Sequence, residues 1–206
     1  MKTARLLLVL LALFGFTTLS NAQEVSISGR EKGFVIRPEI GINSGWESKS
    51  DQLFGYFLQG SFVYHFNANF NAGVGTGVHY YEWYYQSEKD KVLSLPIYAN
   101  IRTYFSNKKV SPFLDIKIGY NIPLSEGEIK GEEPGSVFHN QFMKIKGLYG
   151  LLSLGLQVKK IDIGMSIGWT KDVNYVKGNV NLDSSDEYQG WYFTPAFSIA
   201  YNIQFK

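Results

Sequence analysis

The chain of 206 residues has no cysteine, so no disulfide can brace it. Beyond its first two dozen residues it has no apolar run near the 20 or so residues that a membrane-crossing helix needs. It has only 6 prolines, no Gly-rich phosphate-cradling loop and no EF-hand spacing. These absences exclude a disulfide scaffold, a helical membrane protein, a P-loop nucleotide-binding enzyme and an EF-hand calcium protein. With 3 scattered histidines and no thiolate ligand there is no zinc site to propose either. The expectation is no metal and no cofactor.

The N-terminus carries an address. Lys2 and Arg5 precede an uncharged apolar run from Leu6 to Phe16, and Ser20-Asn21-Ala22 offers small residues for cleavage. Residues 1–22 therefore read as a secretory signal peptide cut between Ala22 and Gln23, leaving residues 23–206 as one domain. The full chain has 20 Lys+Arg and 18 Asp+Glu; the leader holds two bases and no acid, so the remainder has 18 of each and no formal net charge. Bulk attraction to nucleic acid is not expected.

What the chain does have is alternation. From Trp191 to Phe205, every second residue is large and apolar (Trp191, Phe193, Phe197, Ile199, Tyr201, Ile203, Phe205), while Thr194, Ala196, Ser198, Ala200 and Asn202 fill the other face. The split recurs along seven more segments. Examples are Phe34, Ile36, Ile40 and Ile42 against Arg37, Glu39 and Asn43, and Ile161, Ile163, Met165 and Ile167 against Asp162, Ser166 and Thr170. A continuous apolar face opposite a face of Gly, Ser and paired charges predicts an all-β, eight-stranded antiparallel transmembrane β-barrel in the bacterial outer membrane. Short connections (Asn67 to Asn69, Ser106 to Ser111, Lys159-Lys160) predict periplasmic turns. The polar stretches Glu47 to Gln52, Tyr85 to Lys91, Ser125 to Lys146 and Lys171 to Gln189 predict longer extracellular loops. Two aromatic girdles follow: Trp46, Trp83, Trp169 and Trp191 at the loop rim, and Phe66, Phe70, Phe105 and Phe205 at the turn rim.

The inward face carries charges of both signs: Arg37, Glu39, Arg102, Asp115, Lys117 and Asp162. Counting from the turn after Phe105 sets Arg102 opposite Asp115 and Asn100 opposite Lys117. The expectation is a cross-strand ion pair within an interior charge network. An interior of eight strands is just wide enough for side chains to fill it, and the sharper alternative is a narrow polar channel. His65 and His79 point inward, His139 lies in the longest loop, and no spacing assembles a nucleophile with a base, so an enzyme is not expected.

Ser94 to Phe105 (SLPIYANIRTYF) followed by Lys109 to Leu124 (KVSPFLDIKIGYNIPL) resembles the PorT-type family of outer-membrane β-barrel domains. Arg102 and Gly119-Tyr120 match its pattern, and Gly155-Leu156 and Gly168-Trp169 resemble its later strands, with Trp169 where a Tyr is more usual. The resemblance implies a porin-like membrane barrel. The family's namesake takes part in assembling a protein-secretion system. The expected role is structural or interactive: envelope integrity, adhesion or partner binding through loops, with Val137, Phe138, Phe142 and Met143 as the candidate loop contact. A small passive channel and an accessory role in secretion are the alternatives. The expected partners are outer-membrane lipids and a surface or periplasmic protein, and the expected state is a monomer.

Overall fold

A computed structural model describes residues 30–48, 51–85, 88–129, 140–177 and 187–205. The signal-peptide reading of residues 1–22 lies outside them. The strands are β1 (Gly33–Ser48), β2 (Asp51–His65), β3 (Phe70–Tyr85), β4 (Glu88–Tyr104), β5 (Val110–Pro123), β6 (Gly127–Ile129), β7 (Asn140–Val158), β8 (Ile161–Lys177), β9 (Glu187–Tyr201) and β10 (Ile203–Gln204). Eight of them are long, and each is antiparallel to its neighbours. The sheet closes where β1 pairs with β9 (Glu39 with Ala200) and with β10 (Val35 with Gln204). Closure removes the free edges that an open sheet would expose.

The alternation settles which face points where. Ile40, Leu58, Val74, Ile118, Leu154 and Met165 are exposed on the outside, whereas Arg37, Gln59, Asn71, Asn100, Lys117 and Asp162 are buried within. An apolar exterior around a polar interior is the membrane arrangement, opposite to a soluble barrel.

The long strands run from 14 residues (β5) to 19 (β7), more than the 9–11 or so that a tilted strand needs to cross a bilayer. In the surplus at the loop end the pattern inverts. On β3 the outward face passes from Val78 to Glu82 and Tyr84, while the inward face passes from His79 to Tyr81 and Trp83, both buried. On β4, Lys89 and Lys91 lie outside and Val92 inside; on β7, Lys144 and Lys146 lie outside and Met143 and Ile145 inside. Above this line the barrel is built like a soluble protein, because its outside meets water.

The inversion corrects the expected loops. Most of Tyr85 to Lys91 and of Lys171 to Gln189 is strand, and so is Asn140 to Lys146. Only two residues separate β1 from β2 and β3 from β4. In their described parts these polar segments extend the strands past the apolar band.

Turn chemistry offers one test. Lys159 sits at a φ of 56° in the two-residue turn between β7 and β8, a conformation that favours Gly. Lys159→Gly is expected to raise stability by about 1 kcal/mol, read from urea unfolding out of lipid vesicles. A loss of stability would refute this account of the turn.

Candidate functional site: the barrel lumen

The six inward charges come together. Cross-strand register sets Arg102 opposite Asp115 and Asn100 opposite Lys117. Arg102 Nε lies 3.0 Å from Asp115 Oδ1, and the same guanidinium reaches Asp162 on β8. Arg37 Nε lies 3.5 Å from Asp162 Oδ2. Lys117 pairs with Glu39 and stands 3.8 Å from Asp115. All six are buried, and three positive charges meet three negative ones. Removing a charge from water is costly unless it is paired and hydrogen-bonded. Asparagines add further bonds: Asn100 Nδ2 donates to Asp115 Oδ1 at 2.7 Å, Asn202 Nδ2 donates to Asp162 at 2.9 Å, and Arg37 Nε donates to Asn202 at 2.8 Å, while Asp115 Oδ2 has only the Lys117 ammonium at 3.8 Å.

One member escaped the sequence reading. Arg30, ahead of β1, turns into the turn-side mouth. Its Nε donates to Ala68 O at 2.7 Å, and its Nη atoms donate to Gln157 and Ser106. The guanidinium lies 4.1 Å from the Tyr104 ring centre. Burial lowers the Arg30 pKa, and Tyr104 and Asp162 oppose that shift. No periodic pattern points to a lone Arg before the first strand; its carbonyl partners are formed only by the turns.

Midway up, Tyr98 and Tyr149 pack with Leu151. Tyr149 donates to Gln59 at 3.4 Å. Glycines opposite make room: Tyr98 lies over Gly75 and Phe113 over Gly155, where a Cβ would collide with either ring. The space left beside His79, between Phe57, Tyr81 and Thr170, is about 10 Å³, room for about one water. At the loop end Leu53, Tyr81, Trp83, Val92, Met143, Ile145 and Tyr192 form an apolar cluster.

That cluster corrects two expectations. Trp83 is 2% exposed and faces the lumen, so it belongs to no girdle, whereas Trp191 is 43% exposed on the outside. Its position lies above the line where the outside becomes water, and the apolar face there is the inner one. Met143 is likewise a core residue of β7, not a loop contact, and Phe142 lies half-buried in the same strand. Val137 and Phe138 lie outside the described residues. Trp169 is half-exposed, its indole laid against Gly150. Trp46 sits near the loop end of β1, paired with Phe193. Phe66, Phe70, Phe105 and Phe205 are all exposed at the turn rim.

Neither described histidine is set up as a base. Asn71 Nδ2 donates to His65 Nε2 at 3.1 Å, and His79 bonds Tyr81 and, at 3.4 Å, Gln59. Neither bonds to a serine or a carboxylate among the described residues.

Fold and lumen together define the class: a closed, eight-stranded antiparallel β-barrel of the outer-membrane type, its inner face lined by paired charges and packed rings. A solved structure agrees on the fold. The outer membrane protein OprG from Pseudomonas aeruginosa matches 87% of this chain and 100% of its own, at 12% identity and a TM-score of 0.53. Neisserial surface protein A matches 84% of this chain and 97% of its own, at 15% identity and a TM-score of 0.49. No protein-family model and no curated protein sequence matches the chain.

Proposed function

We infer that this is a non-enzymatic integral protein of the bacterial outer membrane, with short turns in the periplasm. Its lumen is sealed, and its work is done by its outer surfaces in a structural or interactive role. The double seal carries this reading: a charge-neutral network with Arg30 at one end, and the Trp83 cluster at the other. Ions would have to break buried ion pairs and then cross an apolar layer. The refolded chain, inserted in a planar bilayer, is expected to give no conductance steps. Discrete steps that change with Arg102→Ala would make it a channel instead.

A second reading, an accessory role in protein secretion, is favoured by the PorT-type resemblance across Ser94 to Leu124. It predicts that a deletion strain fails to export other proteins. Unchanged export would remove it.

A further inference from the structure

The turn end carries a concentration of charge that the lumen does not use. The turn between β4 and β5 presents Lys108 and Lys109, and the turn between β7 and β8 presents Lys159 and Lys160; all four are exposed. These are adjacent turns, because β5 and β7 are neighbours, and Lys159 N donates to Lys109 O at 3.1 Å. Neither turn contains an acid, and none of the four lysines has an ion pair among the described residues. Nearby, Glu31 and Lys32 balance each other, and Arg30 is turned inward.

The depth of the cluster decides what it meets. Phe105 and Val110 bracket the first lysine pair, and Val158 and Ile161 bracket the second; all four apolar side chains are exposed on the lipid-facing side. The ammonium groups therefore leave the wall where the apolar band stops, at headgroup level, with stems long enough to follow the interface. We propose that Lys108, Lys109, Lys159 and Lys160 form a binding site for the phosphates of anionic phospholipids in the inner leaflet of the membrane. Two adjacent pairs of cations with no competing carboxylate suit an anionic surface, and the attraction grows with each lysine. The site holds lipid at one side of the barrel, where β4, β5, β7 and β8 meet the bilayer.

The proposal rests on the membrane orientation inferred above, and the test keeps the two apart. The chain is refolded into bilayers of equal phosphatidylglycerol and phosphatidylcholine and extracted in mild detergent, and its retained lipid is read by native mass spectrometry. Wild type is expected to retain phosphatidylglycerol about fivefold over phosphatidylcholine. Lys108→Gln, Lys109→Gln and Lys160→Gln together are expected to bring the ratio to about one, and the matching triple Arg variant to keep it. Lys159 is left in place because of its left-handed backbone. A ratio near one in wild type, or one unchanged by the triple Gln variant, overturns the proposal. Heat-dependent gel migration reports barrel insertion separately; a wild-type chain that never inserts overturns the membrane reading and this site with it.

Discussion

Asp115→Ala is expected to cost roughly 3–5 kcal/mol of folding stability, because it strands buried cations. Asp115 receives Arg102 at 3.0 Å and Asn100 at 2.7 Å, with Lys117 at 3.8 Å. Without it, Arg102 keeps only Asp162 and Lys117 only Glu39, and the six-charge network is left with one excess positive charge. Urea unfolding from lipid vesicles gives the cost directly. Arg102→Met combined with Asp115→Leu restores neutrality with apolar bulk, and is expected to recover most of the loss. If the single variant is as stable as wild type, the network is wet rather than buried, and the sealed lumen fails with it.

Trp83→Ala should match that loss by a different route. Emptying a packed indole site costs roughly 3–5 kcal/mol, and Trp83 sits in the lumenal cluster with Tyr81, Met143 and Tyr192. Trp191→Ala, on the lipid-facing side, should cost only about 0.5 kcal/mol. Single-tryptophan variants offer an independent check: brominated lipid should quench Trp191 and leave Trp83 bright. Quenching of Trp83, or a larger loss from Trp191→Ala, would remove the inversion at the loop end.

The two sites also differ in how readable they were. Alternation located the eight long strands and their faces, because the environment on each side stays constant through the membrane. It also placed Arg102 opposite Asp115, since a short turn fixes register by counting. It misplaced Trp83 and Met143 because the period of two runs unbroken past the bilayer, while the medium outside changes from lipid to water. Residues such as Lys89, Lys144 and Lys171 then look like loop residues although they are strand. Arg30 was invisible for another reason: it belongs to no strand, and its carbonyl partners exist only in the folded turns.

Arg30 also bears on how the barrel assembles. Consecutive long strands pair as hairpins close in sequence, but closure joins the first strand to the last. Arg30 bonds Ala68, Ser106 and Gln157, which lie 38, 76 and 127 residues away. Such contacts need turns that lie far apart in sequence to be in place together, so they are expected to form late. One side chain then acts as a drawstring across the turn end, tightened last. An interaction absent from the transition state slows unfolding without hastening folding, so Arg30→Ala is expected to shorten the lifetime of the closed barrel in urea and to leave the speed with which it forms unchanged.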